Sequence, residues 1–462
     1  RGTGTADKMV LKWVCPKPHG AFSCLHTNTN PLRAKNKKQE GEIDVKKVIS
    51  IALALLMVAV MLPVMAMAEG ANVAKIGETE YATLEEAFTA VTTTDATTIT
   101  LLDDADVNNK IIISDGKNIT LDLGGHNVTI STLGMFFYVK NATFTVNGGG
   151  SIKEAAAYLA PIIMKGGPAG SENYTIVNVK NGVTLEGWAG MFIDQQNNGD
   201  NYGMVFNAEN ATLTGKNDTD GAAGVGLYVN GKINANVKIS LTNATVSGTG
   251  DGMYLAGAAD TTINGGSVTS SCTGIEIRAG SLTLNNCNVT GGNGSVTTNA
   301  NGNGATSENV ALAVIQHTTK LPIHVEINGG TFTGGAALLE ANPQGNPEDA
   351  TKNVGIVVNG GNFVGNINKN KDASNLQITG GTFSDTGSAK EYLAPGKEFD
   401  RNGNVVPESI TIIVPSEGGS TTTTPSTDNT KNPSTGANDF VGVAAAMAVI
   451  SLLGAAAVIR KK

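Results

Sequence analysis

Aromatic residues make up only 5 % of the chain and charged residues only 16 %. A helix-rich protein would coat its solvated faces with Glu and Lys, so this shortage argues against one. Cysteine occurs four times in 462 residues, too sparsely for a disulfide scaffold and in no zinc-binding pattern. No Gly-rich phosphate loop or nucleophile elbow is present. What is plentiful is Gly, with 58 copies, together with Thr and Asn. β-Branched residues with Gly and Asn at turns read as an all-β chain.

Apolar runs long enough to meet a membrane occur only near the two ends. Residues 46–68 read KKVISIALALLMVAVMLPVMAMA. Two lysines, an apolar run of about 15 residues and the small-residue site Ala66-Met67-Ala68 follow the secretory signal-peptide order. Segment 45–68 is therefore expected to be a signal peptide cut after Ala68, leaving Glu69 first. Residues 1–44 show neither a helical nor a strand period. They are expected to be translated upstream sequence or a disordered extension, with Val45 as the true start.

At the other end, 407–431 is a Ser/Thr/Pro-rich tract that cannot bury enough apolar surface to fold. Asn432-Pro433-Ser434-Thr435-Gly436 follows, then an apolar stretch at 440–459 and Arg460-Lys461-Lys462. Twenty apolar residues at about 1.5 Å each span a hydrocarbon core of about 30 Å, and the basic tail should stay cytoplasmic. The order of pentapeptide, span and basic tail in 432–462 resembles the cell-wall sorting signal read by sortases in Gram-positive bacteria. Asn432 stands where the usual pentapeptide has Leu. The resemblance implies cleavage between Thr435 and Gly436 and attachment of Thr435 to peptidoglycan. The expected location is thus the cell wall or cell surface, with membrane contact only through the signal peptide and the C-terminal helix.

Between the two expected cuts lie 19 basic and 35 acidic residues, a net charge of −16. That balance disfavours nucleic acid and anionic polymers as partners.

A short pattern recurs through the middle: LTNATV (241–246), INGGSV (263–268), LNNCNV (284–289), INGGTF (327–332), VNGGNF (358–363) and ITGGTF (378–383). The successive spacings are 22, 21, 43, 31 and 20. The 43 reads as close to two units and the 31 as one unit with an inserted loop. A second element, GVGLYV (224–229), GMYL (252–255), GIEI (274–277) and VALAVI (310–315), precedes many copies. A unit of 20–22 residues with two or three strands and no amphipathic helix suits one coil of a parallel β-helix. Apolar positions would ladder through the core, and Asn and Gly would take the positive-φ corners. About ten coils are expected.

Tyr81-Ala82-Thr83-Leu84-Glu85-Glu86-Ala87, with ITLL at 99–102 and ITLDLGGH at 119–126, resembles the opening of pectate-lyase-like right-handed parallel β-helix surface proteins. ITGGTFSD (378–385) and YLAPG (392–396) resemble the close of the same modules. The likeness covers about 72–406 and implies an all-β right-handed parallel β-helix at 99–406. An N-terminal cap at 69–98 would carry a short helix over 84–91. It implies no single activity, because this fold carries enzymes and adhesins alike.

No catalytic residues are expected. His126, His317 and His324 read as solvated loop residues, and Arg278 as a basic side chain facing water after a strand. Asp194 and Asp200 flank what reads as a flexible loop. Trp188, the sole Trp of 69–435, is too little for an aromatic glycan platform. Asp103, Asp104 and Asp106 are the one acidic group near a strand end and a weak candidate for Ca²⁺; otherwise neither metal nor cofactor is expected. Cys272 and Cys287 align with Gly250 and Gly266 of the preceding coils, so buried free thiols are expected. The leading functional expectation is non-catalytic adhesion or binding of a host or dietary glycan or of a surface protein. A wall-retained polysaccharide lyase or glycoside hydrolase is the alternative.

Overall fold

The computed structural model describes residues 72–167, 174–195, 203–231, 234–300, 307–369 and 375–409. The expected signal peptide, sorting signal and span at 440–459 lie outside them. Among the described residues no helix is long and apolar enough to cross a membrane.

Thirty strands join one long, mostly parallel sheet, which fits a β-helix. Each coil contributes a strand to three successive faces. One coil runs through Asp251–Leu255 on the first face, Ala258–Asn264 on the second and Ser267–Ser270 on the third. The next returns through Thr273–Ile277, Gly280–Asn285 and Asn288–Thr290, each parallel to its predecessor. On the first face nine successive pairings join ten strands, from Ile111–Ile113 to 366–369. Stacking coils this way satisfies the backbone groups of the strands between the two end coils without closing a barrel.

The repeat pattern works as a core ladder. Val246 pairs with Val268, Val268 with Val289, Val289 with Phe332, Phe332 with Phe363, and Phe363 with Phe383. All are buried. The direct pairing of Val289 with Phe332 corrects the reading of the 43-residue spacing. It is one coil, lengthened by the excursion at 291–309 and by the connection at 316–322. The 31-residue spacing is also one coil, with its insertion at 342–353, as expected.

The corners adopt positive φ, at Asn243 (50°), Gly265 (68°) and Asn286 (55°) in successive coils. Asn tolerates this region better than other L-residues and Gly enters it freely. The second-face strand therefore turns into the third without strain.

Helix Leu84–Ala90 covers the N-terminal end. Thr83 and Glu86 form a capping box, and Leu84, Ala87 and Phe88 point into the core. Phe88 meets Phe137 and Phe144 edge-on, at 5.6 and 6.0 Å between ring centroids. At the other end, Phe399 of the hairpin Lys397–Phe399/Val405–Pro407 closes on Phe383 at 5.5 Å.

Candidate functional site

Each face carries a different outward chemistry. On the first face the tetrads Gly190-Met191-Phe192-Ile193, Gly226-Leu227-Tyr228-Val229, Gly252-Met253-Tyr254-Leu255 and Gly274-Ile275-Glu276-Ile277 lie in register. Alternation sends the second and fourth residues inward and the third outward. Phe192, Tyr228 and Tyr254 thus form an outer aromatic row, with centroids 5.0 Å and 5.2 Å apart. Trp188 joins it at 5.3 Å from Tyr228 and donates its indole N–H to the Ala223 carbonyl at 3.0 Å. The row is buried, so the scarcity of aromatics concealed a cluster rather than excluding one. The repeated Gly-apolar-aromatic-apolar tetrad was the signal that could have revealed it.

Glu276 follows Tyr254 in that outer row. Arg278 Nε donates to Glu276 Oε1 at 2.7 Å, and both side chains are fully buried. This corrects the reading of Arg278 as a solvated residue. Within the stretch 291–309 the chain comes back across Glu276, and Ser307 donates to Glu276 Oε2 through its N–H (3.1 Å) and its hydroxyl (2.7 Å). Asp251, one coil earlier, is also buried. Burial and the neighbouring Glu276 carboxylate raise its pKa well above the ordinary Asp value, with Arg278 pulling the other way.

Asp194 stands one residue before the end of its strand, next to the segment at 196–202, which lies outside the described residues. It lies on strand Ala189–Gln195, buried, with its carboxylate 2.7 Å from Lys165 Nζ on the neighbouring strand. Asp200 lies outside the described residues. His317 is likewise buried, its Nδ1 3.2 Å from the Thr319 hydroxyl, because the insertion at 342–353 packs over it and Asn346 donates to its carbonyl. His324 is exposed, on the outer second face.

The acidic group at the first corners is arranged differently from the three-aspartate set. Asp103 and Asp104 gather with His126, each offering one ligand atom within 4.8 Å of the others. Asp106 instead accepts from the Ser131 hydroxyl at 3.0 Å. Asp104 accepts the Asn127 backbone N–H at 2.7 Å and lies 3.7 Å from His126 Nδ1. The bonds from Asn127 hold its carboxyl below the usual range, helped by His126. Asp104 thus serves as a staple between coils.

The second face lines its outer side with amides that bond one another. Asn207 donates to Asn178, and Asn178 to Thr145. Asn359 donates to Asn328, Asn328 to Asn285 and Asn285 to Asn264, at 2.8 to 2.9 Å.

The third face is different. Its strands carry Thr212 and Thr214, then Thr245 and Ser247, Ser267 and Thr269, Asn288 and Thr290, and Thr333, stacked in register. Among the described residues none of these hydroxyls makes a hydrogen bond, and all are exposed or half-exposed. The result is a grid of available hydroxyls, about 4.8 Å apart between coils and about 7 Å along each strand.

Cys272 and Cys287 are buried free thiols, as expected. Burial pushes the Cys287 thiol up to about 12, so it stays protonated and unreactive. The expected functional residues Ala66, Ala68, Asn432, Pro433, Thr435 and Gly436 lie outside the described residues. No family model, no curated protein and no solved structure matches the chain.

Proposed function

We propose that the chain is a surface protein of a Gram-positive bacterium. It is exported by the signal peptide at 45–68 and joined by a sortase to peptidoglycan through Thr435. Its right-handed β-helix, of the pectate-lyase-like kind, binds a neutral glycan without cleaving it.

The observation that carries the binding reading is the unbonded hydroxyl grid of the third face. A neutral polysaccharide presents hydroxyls at regular intervals along an extended chain. Each hydrogen bond it makes with the grid contributes about 1 kcal/mol or less, but many act on one polymer, and the linked contacts multiply. A net charge of −16 turns away anionic polymers and leaves neutral ones.

The test displays the full chain on cells and measures their retention on insoluble neutral glucan or chitin particles. Thr212→Val, Thr245→Val and Thr290→Val together keep shape and strand propensity but remove three hydroxyls. Retention at least about tenfold weaker is expected from the loss of three hydrogen bonds. Undiminished retention by the triple variant would remove the basis for the reading.

A wall-retained glycan-cleaving enzyme is the second reading. What favours it is the first-face row, where aromatic rings meet Asp251, Glu276 and Arg278, the kinds of group glycosidases use. Their burial counts against it. Soluble sugar released by wild type and lost in Glu276→Gln would move the preference to this reading.

A further inference from the structure

The outer first face holds two carboxyl groups and one guanidinium beneath the returning residues Ser307–Val310. Glu276 is satisfied on both oxygens, by Arg278 on one and by Ser307 on the other. Thr273 on the same strand donates its hydroxyl to the Ser307 carbonyl at 2.6 Å, and the N–H groups of Asn309 and Val310 donate to the Cys272 carbonyl. Asp251 lies in the neighbouring coil at 2 % exposure, and its Oδ1 has no hydrogen-bond partner.

The titratable groups on the strands around Asp251 are Tyr254 on its own strand, Tyr228 before it, and Glu276 with Arg278 after it. Glu308 of the returning segment is engaged with Thr297. One positive charge therefore faces two carboxyls, and a second buried negative charge would go uncompensated. Donors engage both Glu276 oxygens and none engages Asp251 Oδ1, which suits a neutral acid at Asp251.

We propose that Asp251, buried beside the Glu276–Arg278 pair, is held as a neutral acid, and that this neutrality keeps Ser307–Val310 docked on the first face. Alkali would then act as a release. Ionised Asp251 repels Glu276 and competes for Arg278, which weakens the grip of Glu276 on Ser307.

The sign follows from linkage. A group whose folded pKa lies above its unfolded value stabilises fully below the unfolded value, and that stability is lost as pH rises through the folded one. The raised pKa of Asp251 places the loss on the alkaline side of the ordinary Asp range.

The test follows backbone amide exchange at Ser307–Val310 in the full chain, corrected for the intrinsic effect of pH. Protection in wild type should fall at least about tenfold between about pH 5 and about pH 9 through local opening, while Asp251→Asn should hold it nearly constant. Equal pH dependence in the two proteins would overturn the proposal.

Infrared spectroscopy gives a second readout should Asp251→Asn fold poorly. The band is read in a Glu154→Gln background, because the Glu154 carboxyl, raised to about 7, would add its own signal. That protein at neutral pH should show a protonated-carboxyl band. Adding Glu276→Gln, which removes the competing negative charge, should weaken the band as Asp251 ionises beside Arg278. An unchanged band on adding Glu276→Gln, or no band before it, would also overturn it.

Discussion

Phe363 stacks on Phe383 of the following coil, with ring centroids 4.6 Å apart and planes within 5° of parallel. Phe332 lies on the other side of Phe363 at 4.9 Å and 9°. The three rings occupy one register position in consecutive coils, so the middle ring loses both neighbours if removed. Phe363→Ala should cost about 3–5 kcal/mol, the usual range for a buried Phe. Phe363→Leu, which fills most of the space, should cost less than half as much. Urea denaturation of both variants is the check, and equal costs would mean that the ring stacking both variants lose, rather than filled space, is what matters there.

The glycine that opens each first-face tetrad exists for closeness rather than for turning. A Cβ on Gly252 would lie 2.5 Å from both the Gly274 carbonyl oxygen and Val268 Cγ1. Neither can retreat, since one belongs to the next strand and the other to the core. Gly252→Ala should therefore destabilise by about 1–3 kcal/mol or more through overpacking. Gly345 supplies the contrast, because its φ of 64° is unusual but nothing lies within 4 Å of its Cβ position. Gly345→Ala should cost only about 1 kcal/mol of backbone strain. Comparing their thermal melts tests the ranking, and a larger drop for Gly345→Ala would contradict it.

How far the sequence foretold the molecule depends on where information about each position resides. Val246, Val268 and Val289 announce a ladder because every coil repeats the same local demand for an inward apolar residue. Asn243 and Asn286 announce corners for the same reason. Arg278 carries no such signal. Its burial depends on Ser307 returning across Glu276 some thirty residues later, and nothing around Arg278 records that arrival. His317 is opaque in the same way, because the segment covering it, at 342–353, belongs to the following coil. Repetition made the scaffold readable, and the insertions that cover it made the first face opaque.

Glu154 offers a pH-dependent check on that first face. Burial pushes its carboxyl up to about 7, although the N–H groups of Leu159, Trp188 and Tyr158 favour the ionised form. Leu159 donates at 2.8 Å, and the connection to which it belongs packs against Trp188 and Phe192. The folded value lies above the unfolded one, so the stabilising effect is complete below about 4.5 and declines until about pH 7. A difference of this size corresponds to roughly 3 kcal/mol. Glu154→Gln cannot ionise and should flatten that part of the stability profile. Denaturation midpoints across this interval would show it, and parallel profiles for the two proteins would refute the assignment.

The proposed attachment to the wall rests on the pentapeptide at 432–436. If a sortase cleaves between Thr435 and Gly436, its cysteine forms a thioester with the Thr435 carbonyl before a wall amine takes over the acyl group. Thr435→Ala changes the residue at the proposed cleavage point while leaving the proposed signal peptide, the apolar stretch at 440–459 and the basic tail intact. The variant should still be exported and held in the membrane, but it should no longer appear among proteins released when peptidoglycan is digested. The wild type should be released with wall fragments still joined to Thr435, visible as added mass on its C-terminal peptide. If enzymatic digestion released both proteins equally, or if the wild-type peptide carried no added mass, Thr435 would not be the point of attachment.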